Sequence, residues 1–352
     1  MRLVCLTEQS NGTPIQAVYL NEHIRESEKG KKMKPKRLFT RNPHNPILTV
    51  DDWPYPAHSV FNCGATSLNG EILLLVRVED MRGMSHLTVA RSKDGISDWE
   101  IAPEPSILPD PEQFPEEIWG LEDPRITFVP ELEEYLIAYT AYSRGGPLVS
   151  LAKTKDFVSF EKLGAVMPPD DKDAALFPVR FNDRWALLHR STSAMQAIGG
   201  HIWISFSPDL RHWGDHRILI HAGGGGWWDA NKIGLSPPPL KIPEGWLIMY
   251  HGVRQTGGGV IYRLGLALVD SEDPTKLVRR SEEWVFGPSE PYETKGDVGN
   301  VVFPCGWIVK DEKVYLYYGA ADTCIGLATA ELTTLREYIM QCPESETSSK
   351  WA

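Results

Sequence analysis

The sequence repeats one pattern five times, and this repeat constrains the fold more than any other feature. In each copy, an apolar, β-rich run ends in a polar or small residue. The five runs are ILLLVR (72–77), YLIAYT (135–140), WALLHR (185–190), WLIMYH (246–251) and VYLYYG (314–319). Internal repeats at a long, fairly regular period are the signature of repeat architectures. One supersecondary unit therefore occurs five times along the chain.

Each run is flanked by segments that also have the character of strands. A shorter segment precedes the run, such as VFNCGATSL (60–68), and a third follows it, such as HLTVARS (86–92). Gly and Pro turns separate these segments, and no long amphipathic helix interrupts them. A long β-sandwich would not produce five copies in register. The pattern predicts an all-β fold, a five-bladed β-propeller with short N- and C-terminal extensions.

The two ends of the chain depart from the repeat. Residues 1–40 include a charged stretch, which predicts a helix or an exposed arm. Residues 41–333 hold the five repeats and form the predicted propeller domain. Residues 334–352 are predicted to be a C-terminal tail that begins with a short helix, LREYIM. Solvated termini would explain both ends, and an oligomer contact is the functional alternative.

A recurring turn follows the third segment in three of the copies. SKDGISDW, TKDFVSF and SPDLRHW place an aspartate, Asp94, Asp156 or Asp209, four or five residues before an aromatic residue. Aspartate favours turns because its carboxylate accepts hydrogen bonds from the backbone nearby. The spacing predicts the same turn at an edge of three blades.

Net charge and cysteine usage exclude several classes of protein. The net charge of −11 argues against a nucleic-acid partner, because a phosphate backbone requires a basic face. The five cysteines lack CxxC spacing and predict free thiols in a reducing compartment. The N-terminus shows no apolar run of signal-peptide length, and no stretch approaches a membrane span. We therefore expect a cytoplasmic protein without a membrane partner.

Neither a metal site nor a nucleotide site is predicted. The histidines at 201, 212, 216 and 221 lack the spacing of metal ligands, and the aspartate turns lack the ligand count of a calcium loop. The segment GGGGWW (223–228) lacks the Lys-Ser/Thr pair and the following helix of a phosphate-binding loop. We expect no cofactor.

Charged and polar residues occur on strands that should be apolar. The first strand of each propeller blade lines the central channel, and ligands bind at one mouth of that channel. The residues are Asn62, Arg77, Glu122, Asp123, Arg125, Lys172, Asp173, His189, Arg190, Lys232, His251, Asp297, Asn300 and Asp322. Buried charges are costly unless they are paired or contact a ligand. A structural salt bridge would explain a single case, whereas sets in all five repeats indicate a small-molecule site.

The charges of this cluster favour one class of reaction. It holds several cations (Lys172, Arg190, Lys232 and His251) and few carboxylates suited to catalysis. An inverting glycoside hydrolase uses two carboxylates, one as an acid and one as a base that activates water. A phosphorolytic enzyme needs only the acid, because phosphate is already an anionic nucleophile, and it needs cations to hold that anion. One Asp in a Glu-Asp-Pro-Arg context plus several cations is the phosphorolytic pattern.

Several long, ordered motifs resemble glycoside hydrolase family 130. They are WGLEDPRIT (119–127), the HR pair (189–190), WWDANKIGLSPPP (227–239), YHGV (250–253), GDVGNVVFPCG (296–306) and YGAADTCIGLATA (318–330). The resemblance implies a five-bladed propeller and an inverting mannoside phosphorylase. Inorganic phosphate would be the co-substrate and α-mannose 1-phosphate the product, with synthesis as the reverse reaction. NPHNPILTVDDWPYP (42–56) is most similar to the branch that acts on β-1,4-mannooligosaccharides.

The resemblance also implies roles for individual residues. Asp123 matches the catalytic acid, which protonates the glycosidic oxygen directly or through the mannose 3-hydroxyl. The residues implied in phosphate binding are Lys172, Arg190, Lys232, His251 and Tyr262. The residues implied in substrate binding are Ser59, Asn62, Arg77, Glu122 and Asp322. His58 and Cys63 depart from the family pattern, which has Asn and a small residue there, and this bears on the fine-tuning of substrate choice.

Three alternatives stay open from the sequence. The first is a β-1,2-mannoside phosphorylase. The second is an inverting β-mannosidase that uses water, with Asp173, Asp297 or Asp322 as the base. The third is a non-catalytic sugar-binding propeller, which should lack concentrated cations. The acceptor sugar (mannose, glucose, N-acetylglucosamine or a longer mannan chain) is not predicted, and the resemblance allows a homo-oligomer.

Overall fold

A computed structural model describes residues 38–191 and 199–345 of the chain. Its strands form five antiparallel sheets that follow one another along the chain, which is the arrangement of a five-bladed β-propeller. The predicted fold class is therefore confirmed. The arm or helix predicted for residues 1–40 lies outside the described residues except for the last three, and the domain boundaries stay a prediction.

The strands are grouped by blade along the chain. The fold begins with β1 (Thr40–Arg41), which belongs to the last blade. Blade 1 comprises β2 (Ser59–Leu68), β3 (Glu71–Glu79), β4 (Ser85–Ser92) and β5 (Glu100–Ile101). Blade 2 comprises β6 (Leu121–Val129), β7 (Glu134–Ser143), β8 (Gly146–Thr154) and β9 (Glu161–Met167). Blade 3 comprises β10 (Asp171–Phe181), β11 (Arg184–Ser191), β12 (Ile202–Ser207) and β13 (Gly214–Ile220). Blade 4 comprises β14 (Lys232–Leu235), β15 (Leu240–Ile242), β16 (Gly245–Thr256), β17 (Gly259–Val269) and β18 (Leu277–Arg280). Blade 5 comprises β19 (Val302–Lys310), β20 (Lys313–Ala320) and β21 (Cys324–Glu331), together with β1.

The five apolar runs of the sequence are the second strands of the five blades, namely β3, β7, β11, β16 and β20. The flanking segments form the first and third strands, as predicted. The outermost strand of each blade carries no clear sequence pattern, and β1 and β5 are only two residues long. A sandwich is excluded, because each sheet is built from one repeat.

The N-terminal strand closes the C-terminal blade. Thr40 pairs with Thr329 and Arg41 pairs with Ala328, so that β1 becomes the outermost strand of blade 5. The two ends of the propeller are thereby joined in one sheet, which covers the edge of β21. This strand begins within the segment that the sequence assigned to an arm.

The second strands are apolar on both faces because each blade packs between two neighbours. In β3, Leu73 and Leu75 pack in one cluster with Leu121 of blade 2. Leu74, which lies between them, packs on the opposite side with Leu327 of blade 5. Successive side chains of a strand point to opposite faces. A continuous apolar run, rather than an alternating one, is therefore what a strand between two blades requires.

The predicted aspartate turn is present and has one geometry. Asp94, Asp156 and Asp209 each accept, at Oδ1, hydrogen bonds from the backbone N–H groups two and three residues on. Asp270 in blade 4 makes the same pair of bonds. The turn joins the third and fourth strands, so four of the five blades share it.

Helical segments are short. They are two 3-10 helices (Val50–Asp52 and Pro115–Glu117), α1 (Pro291–Thr294) and α2 (Leu332–Gln341). The helix predicted near the C-terminus is α2, which begins three residues earlier than expected and buries Leu335 and Ile339 against blades 4 and 5. Within residues 38–191 and 199–345, no helix has the length and apolar character needed to cross a membrane.

Candidate active site

Three blades place a polar side chain at the same point of their first strand. Asn62 in β2, Asp123 in β6 and Asp173 in β10 each occupy a β-bulge, with φ angles of 45°, 52° and 55°. Asn and Asp adopt this left-handed conformation more readily than other non-glycine residues. Bulges re-aim a side chain and are frequent beside active sites. All three side chains are buried. They are linked by contacts, because Asn62 donates to Asp123 and Arg125 donates to both Asp123 and Asp173.

Asp123 lies in the middle of this group and is 4% exposed. Its Oδ1 accepts hydrogen bonds from Asn62 Nδ2 at 2.9 Å and from Arg77 Nη1 at 3.0 Å. Burial raises the pKa of the Asp123 carboxyl, but the charges of Arg77, Lys172 and Arg125 outweigh burial and hold the pKa below its usual range. In the free protein Asp123 is therefore a carboxylate. The surrounding charge has to change before this group can hold a proton near neutral pH.

The fifth apolar run ends in glycine because the side chain of Asn62 occupies the space beside it. A Cβ atom at Gly319 would clash with Asn62 Oδ1. The corresponding positions in blades 1, 3 and 4 carry Arg77, Arg190 and His251. Blade 5 has no side chain at this position, and the space that this leaves allows the Asn62 amide to reach the Asp123 carboxylate.

Arg77 and Glu122 form a pair on the side of blades 1 and 2. Arg77 Nη2 donates to Glu122 Oε1 at 3.2 Å, and its Nε donates to Ser85 Oγ at 2.9 Å. The guanidinium group also lies over the Phe61 ring, 4.5 Å from its centroid. Lys172 Nζ lies 3.7 Å from the other oxygen of Glu122. Arg77 is thus fixed in orientation next to Asp123, and Lys172 lies close enough for its charge to lower the pKa of Asp123.

Two of the predicted substrate contacts hold buried oxygen atoms that lack a protein partner. In the part of the chain that the structure describes, Ser59 Oγ and Asn62 Oδ1 are buried and make no hydrogen bond. Buried polar atoms in proteins nearly always have a partner. Neither atom has exposed surface, and Asn62 Oδ1 lies beside Gly319, so the predicted substrate contacts of both residues stay predictions.

Asp322 has the most strongly displaced pKa of the predicted substrate contacts. Burial is the largest cause, and the carboxylates of Asp123, Glu122 and Asp297 add to it against the opposing charge of Arg77. Together they raise the pKa of Asp322 to about 7. A carboxyl group that titrates near neutral pH is able either to donate a hydrogen bond to a sugar hydroxyl or to accept one.

Asp173 organises the cations on the opposite side of the site. Its Oδ2 accepts from Arg190 Nε at 2.7 Å and lies 2.7 Å from Arg190 Nη2, while His251 Nε2 lies 3.4 Å away. Its Oδ1 accepts from Arg125 Nη2 at 3.4 Å. Burial alone would raise the pKa of Asp173, yet Arg190, His251 and Arg125 hold it well below the usual range. Asp173 is therefore a fixed anion that orients Arg190.

Arg125 ties blade 2 to blade 4 across the axis, a role that the sequence did not reveal. It is 1% exposed, and it donates from Nε to Ser236 O at 2.7 Å and from Nη2 to Leu235 O at 2.9 Å. Its Nη1 donates to Asp123 O at 3.0 Å. The available signal was a charge inside an apolar strand, and such a charge in a protein core is nearly always paired.

Lys232, His251 and Tyr262 complete the cationic side. Lys232 Nζ lies 5.9 Å from the centroid of the Tyr262 ring, and the His251 and Tyr262 ring centroids are 5.7 Å apart. Burial, followed by the charge of Arg190, lowers the pKa of Lys232. Burial also lowers the pKa of His251 and raises that of Tyr262 to about 12. The Tyr262 hydroxyl therefore stays protonated and can donate.

Contacts and charge interactions thus connect the predicted site residues other than Ser59 into one group. Asn62, Arg77 and Glu122 lie around Asp123, and Arg190 and His251 lie around Asp173. Lys172 is a phosphate candidate that lies between the two groups, beside Glu122. Their individual roles stay predictions. Of the two departures from the family pattern, His58 Nε2 lies 2.8 Å from Asp297 Oδ2 at the half-exposed rim, whereas Cys63 is fully buried. Across residues 38–191 and 199–345, no cluster of side chains has the composition of a metal site.

The chain is similar to one known enzyme family and to several characterised proteins. The family model for glycoside hydrolase family 130, described as beta-1,4-mannooligosaccharide phosphorylase, matches residues 31–341. A 1,2-beta-oligomannan phosphorylase from a Thermoanaerobacter species is 35% identical over 317 residues, which cover 86% of this chain and 99% of the relative. A beta-1,4-mannooligosaccharide phosphorylase from Ruminococcus albus is 31% identical over 312 residues, with 86% and 91% coverage.

A solved structure extends this similarity to three dimensions. The beta-1,2-mannobiose phosphorylase from Listeria innocua, in complex with beta-1,2-mannobiose, superposes with a TM-score of 0.78 at 29% sequence identity. The match covers 86% of this chain and 99% of that one. The chain therefore belongs to glycoside hydrolase family 130, a family of glycoside phosphorylases.

Proposed function

We propose that this chain cleaves β-mannosidic bonds with inorganic phosphate and releases α-mannose 1-phosphate by inversion. The observation that carries the proposal is the division of charge across the site. One acid candidate, Asp123, lies within the influence of Lys172. Three further cation candidates, Arg190, His251 and Lys232, gather around Asp173. Phosphate is the co-substrate in this proposal, and we expect no cofactor.

In this mechanism the phosphate dianion docks among the cations and attacks the anomeric carbon. A phosphate oxygen forms the new bond to C1 while the glycosidic C1–O bond breaks. The proton of Asp123 moves to the leaving oxygen, directly or through the mannose 3-hydroxyl. Because the phosphate is held close to the anomeric carbon, the barrier to its attack is lower than in solution. Arg190 and Lys232 stabilise the charge that shifts during the transfer.

Phosphate binding also supplies a reason for Asp123 to become protonated. In the free protein, nearby cations keep the pKa of Asp123 below its usual range. A bound dianion offsets these cations, in particular Lys172, so that burial becomes the dominant influence and raises the pKa. Asp123 is therefore protonated in the complex with phosphate rather than in the free enzyme.

The geometry gives less support to a hydrolase that uses water. Such an enzyme needs a second carboxylate as a base. Asp173 is held by Arg190 with its pKa well below the usual range, which makes it a weak base. Asp297 is paired with His58 at the rim. Asp322, with its pKa of about 7, is the remaining candidate.

The linkage is a finer part of the proposal. The family model's description supports β-1,4-linked mannooligosaccharides as substrates. The similarity to a 4-O-beta-D-mannosyl-D-glucose phosphorylase supports mannosyl-glucose, and we include mannosyl-N-acetylglucosamine as a further β-1,4 candidate. The similarity to a 1,2-beta-oligomannan phosphorylase supports a β-1,2 linkage as the second candidate. We expect β-1,4-mannobiose to be the better substrate. The acceptor sugar and the state of oligomerisation are left to measurement.

A substrate panel tests reaction, linkage and acid together. Purified protein is incubated with phosphate and β-1,4-mannobiose, β-1,2-mannobiose or mannosyl-glucose, and mannose 1-phosphate is quantified. We expect the β-1,4 disaccharide to give the highest kcat/KM, and the Asp123→Asn variant to lose turnover while it stays folded at the assay temperature. Faster turnover of β-1,2-mannobiose would show that the enzyme prefers the β-1,2 linkage. Substantial activity in the variant would show that Asp123 is not the catalytic acid.

A cytoplasmic location also stays a proposal. The four cysteines within the described residues, Cys63, Cys305, Cys324 and Cys342, are all free and buried. Free thiols are typical of proteins in reducing compartments. Fractionation of the native host would test the location.

A further inference from the structure

Three blades share a buried hydrogen-bonded group just outside the site. In blade 2, Glu117 is 0% exposed; its Oε1 accepts from Tyr139 Oη at 2.7 Å and its Oε2 lies 2.5 Å from Lys162 Nζ. The carboxylate precedes the first strand, the tyrosine is the penultimate residue of the apolar run, and the lysine lies on the outermost strand. Blades 4 and 5 repeat this arrangement, with the groups Asp229–Tyr250–Arg280 and Glu293–Tyr318–Arg41.

Blade 3 replaces this arrangement with a chain that contains two histidines. At the position of the tyrosine stands His189, whose Nδ1 lies 2.6 Å from Asp171 Oδ2. Its Nε2 lies 2.7 Å from Ser205 Oγ, which in turn lies 2.6 Å from Nδ1 of His216 on the outermost strand. Every contact is satisfied when His216 donates to Ser205, Ser205 donates to His189, and His189 donates to Asp171. We call Asp171, His189, Ser205 and His216 the blade 3 chain.

The inner part of the blade 3 chain is buried and depends on His189. Asp171 is 4% exposed and His189 is 3% exposed. Within the described ranges of the chain, Asp171 Oδ1 is buried and makes no hydrogen bond. Loss of His189 would therefore leave a buried carboxylate without its partner, and such a group moves or draws in water.

The blade 3 chain lies next to two of the phosphate candidates, Lys172 and Arg190, on the opposite face of their strands. Asp171 precedes Lys172 and His189 precedes Arg190, and Lys172 and Arg190 are direct cross-strand partners. Because successive side chains of a strand point to opposite faces, Asp171 and His189 share the face opposite to Lys172 and Arg190. The register between β10 and β11 shifts immediately after Lys172, at the bulge that carries Asp173. The bond from Asp171 to His189 therefore joins the two strands where their backbone pairing is interrupted.

We propose that the blade 3 chain is a positioning device, which holds Lys172 and Arg190 at the separation that phosphate requires. This inference rests on the proposed phosphorolysis. It assigns no reacting group to the chain: His189 and Asp171 act through the two cations that follow them. The groups in blades 2, 4 and 5 hold the segments that precede the first strands of those blades. The blade 3 chain instead holds strand residues beside the proposed phosphate position.

A set of four variants tests the inference. His189→Leu removes both hydrogen bonds, His189→Asn keeps an amide donor toward Asp171, and Ser205→Ala breaks the chain at its middle. Tyr139→Phe is the matched control, because it removes the equivalent hydrogen bond in blade 2, away from the phosphate candidates. For each variant, KM for phosphate and KM for the mannoside are measured, together with the phosphate-induced rise in Tm.

We expect His189→Leu to raise KM for phosphate about tenfold or more, because a displacement on the order of 1 Å at a binding group can cost about 100-fold. KM for the mannoside should change less than about twofold, and His189→Asn should recover part of the loss. Should His189→Leu fail to fold, Ser205→Ala carries the same test with a smaller increase. Equal increases in both KM values, an unchanged KM for phosphate, or the same phosphate effect in Tyr139→Phe would overturn the inference. A wild-type enzyme without phosphate-dependent turnover would instead reject the proposed function.

Discussion

Replacing Lys232 by methionine tests whether a cation that binds phosphate lowers the stability of the protein when phosphate is absent. Burial lowers the pKa of Lys232, and the charges of Arg190 and Lys172 lower it further against the opposing effect of Asp173. A lysine whose pKa is lower in the folded state is less stable as an ammonium there than in the unfolded chain. At neutral pH, Lys232 therefore decreases the free energy of unfolding, and this penalty fades as pH rises through the lowered pKa towards the ordinary value.

The expected effects of the Lys232→Met variant have opposite signs with and without phosphate. Methionine preserves much of the side-chain length and removes the charge. Without phosphate, the variant should be as stable as the wild type or more stable. With phosphate the order reverses, because a hydrogen bond to a charged group is worth about 1.5–3 kcal/mol. That free energy corresponds to a loss of about 10- to 150-fold in phosphate affinity.

The assay is thermal unfolding against phosphate concentration, combined with kcat/KM for phosphate. Saturation of the wild type at about 100 times Kd should add about 2.7 kcal/mol of stability, of which the variant should lose about 1.3 to 2.4 kcal/mol at the same phosphate concentration. Lys241→Met is the matched control: Lys241 is exposed, belongs to the same blade, and donates to Ser271 Oγ at 2.8 Å. Its partner in β16 lies seven residues from that of Lys232, about 23 Å along the strand. A Lys232→Met variant that is less stable without phosphate yet keeps the full phosphate-induced rise in Tm would refute the reasoning.

Three further substitutions probe the rest of the site. Burial raises the pKa of Asp322 to about 7, so the ionisation of Asp322 lowers the stability of the wild type as pH rises from about 4 to 7. The Tm of Asp322→Asn minus the Tm of the wild type should therefore increase between pH 5 and pH 8. A difference that stays constant would contradict this. Arg190→Lys cannot reproduce the two-nitrogen contact with Asp173, and we expect a loss of about tenfold or more in kcat/KM for phosphate; unchanged kinetics would remove Arg190 from the phosphate site. Glu117→Gln leaves Lys162 without its buried partner, which should cost about 3–5 kcal/mol in urea unfolding, and a loss below about 1 kcal/mol would show that the pair is dispensable.

The blades could be predicted from the sequence because the second strands face two neighbours. A strand such as β3, buried on both faces, leaves a continuous apolar run that stands out from the turns around it. The closing strand β1 could not be found in this way, because two residues, Thr40 and Arg41, carry no periodicity. Its pairing with β21 depends on the circular closure of the whole fold, which is a tertiary property.

Part of the site could likewise be predicted, since charges in channel-lining strands are conspicuous. The sequence identified Asp123 and Arg190 as candidates, whereas it gave Asp173 only as a member of the polar cluster and as a possible base. Its actual position as the anion that orients Arg190 depends on bulges in β6 and β10, and a bulge cannot be located from side-chain alternation alone. The net direction of the pKa of Asp123 also required the structure, because burial and the neighbouring cations act in opposite directions.

Phosphate dependence of product formation tests the central claim most directly. The protein is incubated with β-1,4- or β-1,2-mannobiose at increasing phosphate concentrations, and both mannose and mannose 1-phosphate are followed by NMR. The arrangement of cations opposite Asp123 predicts α-mannose 1-phosphate at a rate that rises with phosphate, and no turnover without it. Release of the non-reducing mannose as free sugar, at the same rate without phosphate, would contradict the account and make the enzyme a hydrolase.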